Sequence, residues 1–154
     1  MAGSSGIQRR RPFGEKQMLP TVDEQSGLVT VDPTWGTVQP LVLHPQIETL
    51  AELEVIAHIE AGGRLIDTRK PEYVAASGTI QGAVAIEWEH VADRLDEFDR
   101  QGKNVLFCNG PQCAATPRAV ERLLEAGFPP ELLAYYRGGI HDWVTLGYPL
   151  EPAL

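Results

Sequence analysis

The sequence predicts an α/β domain in which a parallel sheet is covered by helices on both faces. Three observations carry that prediction. Arg64–Asp67, Asn104–Cys108 and Leu132–Tyr136 are short apolar runs that suit buried strands. Amphipathic stretches separate them, so strand and helix alternate along the chain. Alternation at this spacing needs crossovers over both faces, which leaves the strands parallel and buried.

The elements follow in order. Met1 to about Leu19 is rich in Gly, Ser, Arg and Gln without periodicity, and a mobile tail is expected there. From Gly27 to Leu43 the pieces "LVTV" and "VQPLVL" look β-like but are broken by Pro33, Gly36 and Pro40. Proline suits only a sheet edge, so this segment is expected to wrap the outside, anchored by Trp35. Residues 1–45 are thus an extension, partly mobile, and 46–154 form the domain.

Thr49-Leu50-Ala51-Glu52 has the pattern of a capping box, and Leu53, Ile56 and Ala57 continue an amphipathic helix that ends at Gly62-Gly63. Arg64–Asp67 follows as a strand, then a turn of helix opened by Pro71, then a strand over Gly82–Trp88. "HVADRLDEFDR" places Val91, Leu95 and Phe98 on one side and predicts a helix, its acidic residues facing solvent. Asn104–Cys108 is the next strand, and "TPRAVERLLEAG" a helix that tolerates Pro117 in its first turn. Leu132–Tyr136 is the last strand and Gly139–Leu146 the last helix. Trp88 and Trp143 are expected in the core, and His141 is expected to be packed or to face solvent.

Composition bounds the function. The chain has 154 residues, 43% hydrophobic and 22% charged, enough for one soluble domain with an extension. No apolar run reaches the roughly 18 residues of a membrane span, so no membrane association is expected. A net charge of −8 would repel a phosphate backbone, which argues against a nucleic-acid partner. Two cysteines five positions apart cannot staple such a domain, and a reducing, cytoplasmic location is expected. With no second Cys pair and four scattered histidines, neither a metal nor another cofactor is expected.

The cysteines instead point to thiol chemistry. In parallel sheets, sites collect at the carboxyl ends of the strands, and Asp67, Cys108 and Arg137 each stand at or just past such an end. A free thiol with a pKa of about 8.5 is mostly protonated at neutral pH, and only its thiolate attacks readily. A loop that joins a strand to a helix aims unpaired N–H groups at its own centre, and the helix dipole adds positive potential. Cys108 would lie on the floor of that ring as the nucleophile. Asn109 and Gly110 permit a tight ring, Pro111 stiffens it, and Gln112 and Cys113 complete it.

"LIDTRKPEY", "SGTIQGAVAI", "VLFCNGPQC", "LLEAGF" and "YRGGIHDWVTLGYP" occur in the order seen in rhodanese domains, and the resemblance covers roughly Gln46 to Pro152. It implies a five-stranded parallel sheet between helices and a Cys108 that alternates between thiolate and persulfide. The active loop would be Cys108 to Cys113. Asp67 and Arg69 fall on the family's Asp-x-Arg, and Gly138, Gly139 and Trp143 on its Gly-Gly and Trp. Thr79 and Gln81 depart from the family's His and Pro, and the loop lacks the Arg, Lys or Ser that many members carry.

The function implied is sulfurtransfer. A small sulfur-containing anion such as thiosulfate, or a persulfide, gives its sulfane sulfur to Cys108, and cyanide or a thiol, small or on a protein, removes it. Asp67, Arg69 and Arg137 would support the site or bind substrate. Cys113 would cap the helix start, accept sulfur, or pair with Cys108. The competing class is a catalytically weak rhodanese-fold module for protein binding or redox sensing. Phosphatases share the fold, but their gripping arginine would fall on Ala114, and Arg118 lies a helical turn too far on.

Overall fold

A computed structural model describes residues 19–31 and 36–154. The expected tail up to residue 18 and the expected anchor Trp35 lie outside the described residues. The first described element is an antiparallel pair, β1 (Thr21–Val22) with β2 (Val29–Thr30). Only the second of these is visible in the sequence, within "LVTV".

The domain is built on one sheet. Its strands are β3 (Glu48–Thr49), β4 (Arg64–Asp67), β5 (Ala83–Ala85), β6 (Asn104–Phe107) and β7 (Leu133–Tyr136). They pair in the order β3-β7-β6-β4-β5, and every pairing is parallel. The helices between them are α1 (Glu52–Glu60), α2 (Pro71–Ser77), α3 (Ala115–Glu125) and α4 (Gly139–Thr145).

Strand alternation divides the core in two. Ile66, Leu106 and Tyr135 point to the face that packs Val120 and Leu123 of α3. Leu65, Val105, Phe107, Ala134 and Tyr136 point to the other, against Val55 of α1 and Ile140 and Trp143 of α4. Ile66 and Leu106 are fully buried, and truncating either to alanine should cost about 2–5 kcal/mol. With both faces covered, β6 sits in the middle of the sheet and is fixed on all sides.

Three expectations are corrected. "HVADRLDEFDR" is not an α-helix: Trp88–Asp93 and Leu95–Glu97 are 3₁₀ turns broken at Arg94. Val91 and Phe98 still bury as the pattern required, but the Arg94 guanidinium turns back to the Ala85 carbonyl at 3.2 Å and to Glu97. Thr49 is not a helix cap. It lies in β3, its hydroxyl donates to the Leu41 carbonyl, and Ala51 precedes the helix with no side-chain cap. Finally, "VQPLVL" forms no strand, because the backbone of Gln39 is bonded to the loop after β6 instead of to a sheet edge.

Candidate active site

The ends of β4, β6 and β7 lie side by side, since Asp67 pairs with Phe107 and Phe107 with Tyr136. Asp67, Cys108 and Arg137 are therefore brought to one rim. Residues 108–114 run from β6 into α3. The start of α4 holds this loop from below: Ile140 N–H donates to the Cys108 carbonyl at 3.0 Å, and His141 N–H to that of Asn109 at 2.8 Å. Gly139 allows the approach. Its φ is +58°, and a Cβ there would lie 2.2 Å from the Cys108 carbonyl oxygen. Gly110 fits against His141, which is 5% exposed and packed. The Cys113 N–H closes the turn onto the Gly110 carbonyl at 3.0 Å.

Both thiols are buried and unoxidised. Cys108 is 1% exposed, with its sulfur 3.5 Å from the Cys113 carbonyl oxygen. Burial pushes the Cys108 thiol well above its ordinary range, and the neighbouring Cys113 adds to that; Thr116, through its hydroxyl and N–H, acts in the opposite direction. Cys113 is pulled down to about 7, first by the hydrogen bond from Cys108 and then by the N–H groups of Ala115 and Asn109, against the effect of burial. Two loop amides, those of Ala115 and Asn109, reach the Cys113 thiol and favour its thiolate. The expectation that the loop amides lower the Cys108 thiol is corrected: burial raises it, and its S–H donates to the Cys113 carbonyl.

Asp67 and Arg69 are fully committed within the protein. Both carboxylate oxygens of Asp67 take the guanidinium of Arg69, at 2.8–3.1 Å, with both side chains at most 1% exposed. Arg69 also reaches Ser77 Oγ at 3.0 Å, the Gly78 carbonyl at 2.8 Å and Asn109 Oδ1 at 3.3 Å. Thr79, a departure from the family pattern, donates its hydroxyl to Asp67 at 2.7 Å. The pair thus ties the end of α2 to the active loop, and its burial is compensated by a nearly complete set of hydrogen bonds.

Arg137, expected to support the site or bind substrate, takes a supporting position: its Nε and Nη2 donate to the Gln39 carbonyl, at 3.0 and 2.7 Å. The Gln39 N–H donates to the Pro111 carbonyl at 2.8 Å, and Gly36 packs against the Gln112 carbonyl with no room for a Cβ. Residues 36–39 are consequently a strap across the loop.

A cleft of about 560 Å³ opens between this strap, α2 and the start of α3. Cys113, Asn109 and Gln112 contribute to its floor, whereas Cys108 lies behind Cys113 and does not line it. Two cations that sequence reasoning did not place in the site, Lys70 and Arg118, stand on its walls. Arg118 is stacked over Trp88, with its Cζ 5.1 Å from the ring centroid, and Arg122 adds a second cation at 5.0 Å. Trp88, expected in the core, is half-buried: it packs against the core on one side and lines the cleft on the other. Among the described residues no group of three or more His, Cys, Asp or Glu side chains could hold a metal ion, and no helix is long and apolar enough to cross a membrane.

The rhodanese-like domain family model matches residues 52–146, from the first residue of α1 to just past α4. The chain belongs to the rhodanese-like family. It is 32% identical over 111 residues to the HTH-type transcriptional regulator Rv0324 of Mycobacterium tuberculosis, a match over 71% of this chain and 47% of the relative. The chain thus spans about half the length of that curated relative. Among solved structures, the thiosulfate sulfurtransferase of Pseudomonas aeruginosa superposes with a TM-score of 0.56 at 24% identity, over 70% of this chain and 21% of that one. A rhodanese-related protein of Thermoplasma volcanium superposes with a TM-score of 0.53 at 19% identity, over 68% and 97%. At these identities the likeness is one of fold. The five-stranded parallel rhodanese-like sheet is the architecture expected from the sequence.

Proposed function

We propose that this chain is a sulfurtransferase in which Cys108 carries a sulfane sulfur as a persulfide. The observation that carries the reading is the Cys108 sulfur buried in the loop and held 3.5 Å from the Cys113 carbonyl oxygen, with the Cys113 thiol beside it drawn down to about 7. It provides what a buried carrier needs: a base already in contact with it. As Cys108 attacks the sulfane sulfur of a donor, its proton passes to the Cys113 thiolate. With thiosulfate, the new S–S bond forms at Cys108, the S–S bond of the donor breaks, and sulfite leaves with the bonding pair. Thr116 N–H and the loop amides then hold the anionic persulfide.

Access requires Cys113 to swing from its resting position over Cys108, opening the path from the cleft. Lys70 and Arg118 supply the positive wall that the loop itself lacks, which suits a small anionic donor on an otherwise acidic chain. A thiol, small or protein-borne, or cyanide would take the outer sulfur. The family position of Cys108 supports its assignment as carrier; its location at the foot of the ring supports protection of the persulfide from water.

Thiocyanate formation from thiosulfate and cyanide tests the proposal. Wild type should turn over, Cys108→Ser should not, and Cys113→Ser should retain transfer with its optimum displaced to higher pH. Turnover surviving in Cys108→Ser would move the carrier elsewhere. Absence of turnover with thiosulfate and with a low-molecular-weight persulfide, in folded wild type, would remove the enzymatic reading.

A further inference from the structure

Cys113 is more nucleophilic than a proton acceptor needs to be. It faces the cleft, and its residue lies against Cys108, whose sulfur is 3.5 Å from the Cys113 carbonyl oxygen; the Ala115 and Asn109 amides favour its thiolate. Once Cys108 carries an extra sulfur, Cys113 is the thiol of the same loop, its carbonyl already against the sulfur that becomes the inner atom of that persulfide. Thiols react with persulfides at either sulfur, and attack at the inner one forms a disulfide and expels the outer atom as sulfide.

We infer that the chain also releases sulfide by itself, Cys113 resolving the Cys108 persulfide to a Cys108–Cys113 disulfide. This rests on the proposed carrier role of Cys108. In the step, the Cys113–Cys108 sulfur bond forms and the bond between the two persulfide sulfurs breaks. The outer sulfur departs with the electron pair as hydrosulfide, taking the proton that Cys113 had received from Cys108. The sulfane sulfur gains two electrons and the two cysteine sulfurs together lose two, so no outside oxidant is involved. An external dithiol returns the pair to its reduced state through ordinary exchange, and the cycle becomes a persulfide reductase.

Two features of the site favour this outcome over a long-lived persulfide. Burial keeps water and bulky acceptors from Cys108, so the first thiol to reach the persulfide is the one already in the ring. The loop holds both cysteines, five positions apart, between the end of β6 and the start of α3, so Cys113 can return to Cys108 once the donor has left.

The experiment is a single turnover under anaerobic conditions, with reduced protein, thiosulfate and no acceptor. Wild type should release sulfite and then one equivalent of sulfide per chain, lose both free thiols, and show a mass lower by two hydrogens. Cys113→Ser, run at the higher pH that replaces its missing base, should release sulfite but no sulfide and should accumulate protein heavier by one sulfur. Wild type that stays sulfur-laden with no sulfide overturns the inference and leaves sulfur transfer standing. No sulfite from either protein overturns the carrier role itself. If the variant fails to fold, thiol counting on wild type alone separates the same outcomes.

Discussion

Arg137 grips the carbonyl oxygen of Gln39 with two nitrogens, Nε at 3.0 Å and Nη2 at 2.7 Å. A residue that follows a sheet strand thereby fastens a segment nearly a hundred positions earlier in the chain, and Gln39 N–H continues the tie to Pro111. The extension is thus part of the cleft wall. Gly36→Ala would drive a Cβ to 2.1 Å from the Gln112 carbonyl oxygen, a contact that cannot be accommodated without displacing strap or loop. Hydrogen exchange should show the Gln39 amide losing protection, with the amides of β6 unchanged. Retained protection at Gln39 would mean the strap is not held this way.

Charge on the pair sets a pH dependence. Because the folded Cys113 titrates near 7, below an ordinary thiol, its thiolate fraction should rise about tenfold between pH 6 and 8 and level off above. Cys108, raised by burial, should stay protonated across that range. Alkylation by iodoacetamide, mapped by peptide mass, is expected at Cys113 first, with that profile. Faster labelling at Cys108 would reverse the assignment of the resting charge.

Asp67→Asn leaves the Arg69 guanidinium buried without its counter-ion. Breaking one side of such a pair costs about 3–5 kcal/mol, which should appear as a shift in the urea midpoint with little change in slope. Since Arg69 also holds Asn109, sulfur transfer should fall in the fraction that stays folded. A loss below about 1 kcal/mol would show that Ser77, Asn109 and the Gly78 carbonyl suffice to hold Arg69.

Lys70 and Arg118 are exposed cations, each worth roughly 0.5 kcal/mol toward a bound anion. The double variant Lys70→Ala with Arg118→Ala should raise the KM for thiosulfate about fivefold with kcat nearly constant. Added salt should produce a similar rise in wild type and little further change in the variant. An unchanged KM would exclude these walls from donor binding.

The frame was legible because its signals are local. β4, β6 and β7 announce themselves as short apolar runs, α3 as an amphipathic repeat, and the loop between β6 and α3 as a cysteine followed by Gly and Pro. What escaped depended on distant partners. Val91, Leu95 and Phe98 have helical spacing, but Arg94 ends the turn by bonding to Ala85, and no local pattern encodes that. Thr49 carries the signature of a cap, yet its backbone is engaged with β7 and its hydroxyl with Leu41. Lys70 and Arg118 become neighbours of the thiols only once α2 and α3 meet across the cleft. The opposite shifts of Cys108 and Cys113 were equally hidden, because they follow first from the burial of Cys108 and its hydrogen bond to Cys113, with the Ala115 and Asn109 amides adding to the second.

β6 is enclosed by β4 and β7 at its sides and by the two halves of the core above and below, so the strand that presents the thiols has no freedom to evolve. Gln39, Lys70, Tyr73 and Arg118 stand in front of it and contribute little to the interior. Selectivity and foldedness are therefore written in different residues. Substitutions at these four positions would alter what the cleft admits while leaving the interior as it is.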